Sequence, residues 1–270
     1  MKWKWLYRIV SFVFGFLFIA PIVWMLVVSI KKEGMKIVTL VDWFTPPYSF
    51  AVYDDILSGT KLTNWMFNSF FVAICVTLFT VTFAAMAGFV MSKLPFRYKS
   101  AMFFLVLSGL LIPGEAIIIP LYQVAKDMSL LNSYQGLIIP VLASPVAVIV
   151  LKSFFDGVPN DLLESVQIDG GGTWRIFTQI MLPLNRPALA SMAILTFIGS
   201  WNNFLWPFLS VTNDNLFTLP MGIPTLMSQY SEDYVKPMVV NTISSIPIIL
   251  LFVIFERQII KGVSLSGIKG

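Results

Sequence analysis

The sequence predicts an all-α, polytopic membrane protein: six transmembrane helices with a cytoplasmic helical loop between the fourth and fifth. Three observations carry that prediction. Charged residues make up 12% of the chain and hydrophobic ones 57%, whereas a soluble domain is about 25% charged; most of the folded surface must therefore face something other than water. Six apolar stretches are each long enough to cross about 30 Å of hydrocarbon as a helix. Between the fourth and fifth lies a polar, glycine-broken passage, 156–187, much longer than two adjacent spans need to be joined.

The expected spans are 9–30, 65–91, 101–119, 135–154, 188–209 and 238–255. The first is too long for the apolar part of a cleaved leader, and it ends in Ser29-Ile30-Lys31-Lys32 without a small-residue cleavage site, so it is expected to be retained. Proline and glycine punctuate the later spans: Pro113, Gly114 and Pro120 in the third, Pro140 and Pro145 in the fourth, Gly199 and Pro207 in the fifth, Pro247 in the sixth. Such residues are tolerated at membrane depth where the backbone lines a cavity or packs on protein. The whole of 1–270 thus reads as one transmembrane domain with the 156–187 loop inside it.

Lysine and arginine set the orientation, because cytoplasmic segments carry an excess of them. With the N-terminus inside, twelve of the 18 lie on the cytoplasmic side (Lys2, Lys4, Arg8, Lys93, Arg97, Lys99, Lys152, Arg175, Arg186, Arg257, Lys261, Lys269). The outer side keeps Lys31, Lys32, Lys36, Lys61, Lys126 and Lys236. Both termini and the long loop are then cytoplasmic. The net charge of +4 is a topology signal and not a nucleic-acid footprint.

Several chemistries are excluded by composition. With no histidine and the single Cys75, there is no intrachain disulfide, no zinc site and no histidine-based acid–base catalysis. Cys75 sits within an apolar run and reads as a small buried residue. Ion-coupled carriers keep ionisable groups within the membrane, and these spans hold almost none; Glu115, toward the outer end of the third, can reach interfacial water. A phosphate-cradling Gly-x-x-x-x-Gly-Lys-[Ser/Thr] loop is missing, as is any Ser/Lys or paired-carboxylate constellation. Uphill transport would draw its energy from a separate subunit, so an ion-coupled carrier and a membrane-embedded enzyme are the weaker alternatives.

The loop carries its own structural signals. Val158-Pro159-Asn160-Asp161 opens a helix, and Asp161 with Glu164 has the spacing of a capping box. Leu162, Leu163 and Val166 form an apolar stripe, and Gly170-Gly171-Gly172 stops the helix. A second amphipathic helix is expected over 173–181, with Trp174, Phe177 and Ile180 on one side and Pro183 and Pro187 closing it. The acidic face of Asp161, Glu164 and Asp169 disfavours anionic lipid and favours a protein partner. Further on, Trp201, Asn202 and Asn203 combine aromatic faces with amides, which suits sugar rings, while Trp206 is expected in an aromatic belt near the outer interface.

Glu164, Gly170, Ile180, Leu182 and Pro183 resemble the EAA loop of ABC-transporter permeases from bacterial importers: Glu-Ala-Ala, three residues, Gly, nine residues, Ile-x-Leu-Pro. Ser165 and Val166 stand where that pattern has its alanines. Asn68-Ser69, Leu94-Pro95-Phe96-Arg97, Ile112-Pro113, Pro120-Leu121-Tyr122, Asn132-Ser133-Tyr134-Gln135-Gly136-Leu137, the run from Trp201 to Pro207 and the tail 262–270 resemble the carbohydrate branch, in particular its maltose-type six-span permease. Asn203 stands where that branch often has an acidic residue.

The resemblance implies a subunit of the cytoplasmic (inner) membrane of a bacterium or archaeon, paired with a second permease. Two ATP-binding cassette subunits inside would carry ATP and Mg, a solute-binding protein would dock outside, and this chain would hold no cofactor, metal or nucleic acid. Asp161, Glu164, Asp169, Gly170, Ile180, Leu182 and Pro183 become the expected ATPase-coupling set. Glu164 would meet a basic residue of the ATPase, and the tail 261–270 would touch it too. The implied solute is a sugar or oligosaccharide, with a sugar phosphate or another polar solute as the alternative.

Overall fold

The computed structural model describes residues 2–35, 39–227 and 234–266, so Lys36 and Lys269 of the charge count lie outside the described residues. Among the described residues the chain is helical, and its one β feature is an isolated bridge between Lys31 and Tyr48. Among the described residues, three helices are long and apolar enough to cross a membrane unbroken: Tyr7–Ser29, Leu62–Lys93 and Val235–Phe255. Two bent pairs qualify when each is taken as one span: Tyr134–Val141 with Pro145–Asp156, bent by 50°, and Thr173–Leu184 with Arg186–Trp201, bent by 79°.

The expected third span, 101–119, takes a different form. Its helix, Lys99–Ser108, stops before Gly109 and is followed by turns and a single 3₁₀ turn, Gly114–Ile117, after which Ile118–Asp127 resumes. Pro113 supplies no N–H to continue a helix, and Gly114 adds backbone freedom. Glu115 is exposed on that 3₁₀ turn. The breaks fall at Pro113, just ahead of Pro145, and at 202–204 within the expected fifth span, where Arg186–Trp201 gives way to Leu205–Ser210; Pro120, Gly199 and Pro247 lie within continuous helices.

The chain divides into two compact units, Met1–Phe67 with Thr218–Ile249 and Asn68–Phe217 with Leu250–Gly270. In the first, Phe12, Phe16 and Phe18 of the opening helix are all more than two-thirds exposed, as for a helix bathed in apolar solvent. The chain then folds back on that helix's end. The Lys31 Nζ, fully buried, donates to the Thr45 carbonyl at 2.5 Å and lies 4.3 Å from the Tyr48 ring centre. Ser29 Oγ and the Tyr53 hydroxyl share a 2.7 Å hydrogen bond. Gly222 is packed so tightly that a Cβ there would stand 2.1 Å from the Trp65 indole.

In the second unit, the helices Leu62–Lys93 and Pro145–Asp156 cross closely. A Cβ on Gly88 would lie 3.0 Å from the Lys152 amide nitrogen, and Ala84, Ala85 and Ala147 are buried at the same crossing. Small residues allow this approach, which membrane helices use because lipid gives no hydrophobic drive between them. Around the crossing, Phe89, Leu151, Phe155, Leu163, Ile176, Phe177 and Met181 form one core. That core roots the 156–187 loop.

Candidate functional site: a two-faced loop and an uncharged cavity

The first loop helix is Asp161–Ile168, and its start differs from the expected capping box. Asn160 is the N-cap, with helical backbone angles and no side-chain cap. Its amide oxygen instead accepts from Lys93 Nζ at 3.0 Å, a partner 67 residues away, while its carbonyl accepts from the Leu163 and Glu164 amides. The N-cap is thus Asn160 and not Asp161, and its side chain serves a tertiary contact in place of a cap.

The end of this helix follows from the glycine run. Gly170 has φ +76°, the left-handed region where only glycine is free of Cβ strain. Its amide donates to the Gln167 carbonyl at 3.0 Å and the Gly171 amide reaches back to Val166 at 2.7 Å, the paired bonds of a Schellman cap. A Cβ on Gly171 would lie 2.5 Å from Val166 Cγ1, whereas Gly172 has open space around its Cα.

The next segment is helical as expected but of different pitch. Thr173–Ile176 is α, Phe177–Met181 is a π turn, and Leu182–Leu184 returns to α. The Leu182 amide bonds to the Phe177 carbonyl, five residues back. The wide turn falls just ahead of Pro183, which has no N–H to extend the usual ladder. The extra residue moves the buried face: Ile176, Phe177 and Met181 point inward, Ile180 is half-buried and Trp174 is 66% exposed, its ring 5.5 Å from Phe177. The predicted stripe of Trp174, Phe177 and Ile180 is corrected accordingly. The segment ends in an elbow at Asn185, whose buried amide donates to the Met181 carbonyl at 2.8 Å.

The loop thus has two faces. Leu163, Val166, Phe177 and Met181 belong to the core, Leu182 packs against it, and Pro183 is half-buried. Asp161, Glu164, Asp169 and Gly170 are exposed, beside the outward-facing Leu162, Ile168 (85% exposed) and Trp174. The expected contact of the tail 261–270 falls outside the residues whose side chains are described.

The other feature is a cavity of about 340 Å³ lined by Thr80, Ser144, Thr196, Gly199, Ser200 and Asn203 together with Val76, Val141, Ala143, Val146, Met192 and Leu195. Among the described residues its lining contains no charged side chain. One wall is the break at 142–144, where Thr80 Oγ1 donates to the Leu142 carbonyl at 3.0 Å and Ser144 caps the helix that starts at Pro145. Of the three expected path residues only Asn203 lines this cavity. Asn202 is exposed, and Trp201 is 4% exposed, stacked at 5.9 Å on Phe197. Trp206 is also buried, donating from Nε1 to the Gly136 carbonyl at 2.9 Å, so it anchors packing and does not sit in an interfacial belt.

A polar cluster at the opposite end of the Leu62–Lys93 helix from Lys93 escaped the site prediction. The buried Asn68 amide donates to the Asn215 and Phe217 carbonyls at 2.8 and 2.9 Å and accepts from the Tyr134 hydroxyl at 2.7 Å. Nearby in sequence, Asn132 at φ +56° accepts from the Thr212 and Asn213 amides at 2.6 and 3.1 Å. The Asn68-Ser69 and Asn132–Leu137 motifs held the signal, but their partners lie up to 149 residues away.

Apolar helices long enough to cross a membrane, broken ones lining an uncharged cavity, and an exposed acidic loop rooted in the core define a helical membrane-transport subunit. Residues 81–265 match the model of the binding-protein-dependent transport system inner membrane component, and the chain belongs to that family. It is 34% identical over 257 residues to the arabinooligosaccharides transport system permease protein AraQ of Bacillus subtilis (strain 168), covering 94% of this chain and 92% of that one. It is 29% identical over 252 residues to the sulfoquinovosyl glycerol transport system permease protein SmoH of Agrobacterium fabrum, covering 93% and 88%. Its fold superposes with a TM-score of 0.83 on a chain of a bacterial ABC transporter involved in import of the acidic polysaccharide alginate, at 17% identity over 95% and 96% of the two chains.

Proposed function

We propose that this chain is one of two permease subunits of an ATP-driven, binding-protein-dependent importer for an uncharged sugar or oligosaccharide. Its six spans place both termini and the 156–187 loop in the cytoplasm, and separate ATPase subunits hold ATP and Mg. The two-faced loop carries this reading: one face is built into the core, and the other presents Asp161, Glu164 and Asp169 beside Leu162, Ile168 and Trp174. Carboxylates next to exposed apolar side chains fit a basic, partly apolar cleft better than anionic lipid. Glu164 is the acidic anchor. Asp169 and Gly170 terminate its helix, and Ile180, Leu182 and Pro183 seat the loop against the membrane-spanning part.

An uncharged solute is supported by the cavity, whose hydroxyls, amide and unwound backbone offer hydrogen bonds without a counter-charge. Asn203 leads the path residues; Trp201 acts behind it as packing and Asn202 from the exposed break. The name of the arabinooligosaccharide relative agrees with such a solute.

The test is a mild-detergent pull-down of the tagged chain from its native membrane, read by mass spectrometry and an ATPase assay. Glu164→Arg is expected to lower recovery of the ATP-binding subunit by about tenfold or more while membrane insertion persists, since reversing one charge of an interfacial pair leaves its partner opposed. Undiminished recovery and ATPase activity in that variant would refute the docking role.

A further inference from the structure

The loop's attachment to the rest of the second unit runs through a side chain outside the loop. Lys93 ends the Leu62–Lys93 helix, and its Nζ donates to the Val158 carbonyl at 2.6 Å and to Asn160 Oδ1 at 3.0 Å. Those two residues lie where the chain leaves the Pro145–Asp156 helix and enters Asp161–Ile168. Asn160 is also the residue whose carbonyl starts the first turn of the loop helix. One ammonium group therefore grips the base on which that helix is built.

A network of charged groups adjoins the grip. Asp156 accepts from Ser92 Oγ and from Lys152 Nζ, both at 2.7 Å, and Lys99 Nζ donates to the Ser92 carbonyl at 2.8 Å. Lys152 lies 5.2 Å from the Phe103 ring centre. The ends of three helices and the loop entry meet in this network. A second contact, Phe89 against Phe177 at 5.2 Å, joins the same helix to the loop's second half. Apolar contact is non-directional and lets surfaces slide, whereas a charge-assisted hydrogen bond fixes distance and direction. The Lys93 contact, unlike the Phe89–Phe177 one, can both push and pull.

We propose that Lys93 is a positioning residue that transmits displacement of the 161–168 helix to the Leu62–Lys93 helix and so to the cavity. That helix runs unbroken from Lys93 to Thr80 and Val76, both in the cavity wall. Over that length of about 20 Å a single α-helix behaves as a stiff rod. The proposal rests on the loop being the ATPase-docking element.

The experiment uses the whole complex in nanodiscs, with Cys75→Ser and a Thr196→Cys reporter in the cavity, alkylated by N-ethylmaleimide with and without ATP and vanadate. With Lys93 intact, ATP changes the alkylation rate. Lys93→Met keeps the stem and loses the donors. It is expected to retain the ATPase subunit yet shrink the ATP-induced change by about fivefold or more, a typical size for inter-site coupling. Lys93→Arg restores it, and Asn160→Ala, which removes one partner from the loop side, gives an intermediate change. A full ATP response in Lys93→Met overturns the proposal. So does loss of the ATPase subunit in Lys93→Met with a full response in Asn160→Ala, because the lysine would then serve assembly alone. If the complex with Lys93 intact contains no ATPase subunit, the docking role of the loop falls, and this proposal falls with it.

Discussion

Asn68 shows how much one buried amide holds. It uses both donors and its acceptor on three partners drawn from two distant stretches of chain. Asn68→Ala removes all three bonds from a buried site. It is expected to cost about 2–4 kcal/mol and to lower the thermal midpoint of the purified chain by about 4–8 °C. Asn68→Leu restores the volume without the hydrogen bonds, and no recovery is expected from it. Trp206 belongs to the same class, since its indole is buried and its N–H is committed to Gly136. Neither was legible as structural in the sequence. An asparagine or tryptophan in an apolar run displays its chemistry but not its partner, and both partners are remote. The burial of Trp201 against Phe197 was equally hidden, because periodicity does not say which side of a helix a neighbouring side chain will cover.

The loop was more legible at the scale of elements, because its signals are local. The glycine run does end the first helix, and the three glycines have distinct tasks that a substitution series separates. Gly170→Ala forces a Cβ into the left-handed region, at about 1–2 kcal/mol. Gly171→Ala drives one against Val166, while Gly172→Ala meets nothing. Hydrogen exchange of the 166–171 amides is expected to quicken in the first two variants and to stay unchanged in the third. The helix start and the π turn were less legible. The start depends on Lys93, far away in sequence, and the wide turn depends on how Pro183 and Asn185 are packed against the core. Local spacing encodes what neighbours can do for each other, and it is silent where a distant group competes.

At the scale of the molecule, hydropathy identified the apolar mass, while proline and glycine decided how it is divided. The 101–119 stretch has enough apolar residues for a span, yet its backbone turns at Gly109 and Pro113. The orientation makes a clean prediction within the second unit. In a Cys75→Ser background, an impermeant maleimide added to intact cells should modify Lys126→Cys and spare Arg97→Cys, with the pattern reversed in inverted vesicles. Labelling of both positions from one side would refute the proposed topology.

The π turn at 177–181 gives the loop a phase. An α-helix advances about 100° per residue, so one surplus residue sets the angle at which Asp161, Glu164 and Asp169 face out relative to the spanning helix that follows the Asn185 elbow. Deleting Thr178 would tighten the turn without altering charge or apolar content. The acidic face would then swing by roughly 100°, and the same motif residues would be aimed at the wrong point of the compass. Residue spacing along this segment is therefore an angular setting, and alignments that slide a gap through it would preserve every letter of the motif while losing its bearing.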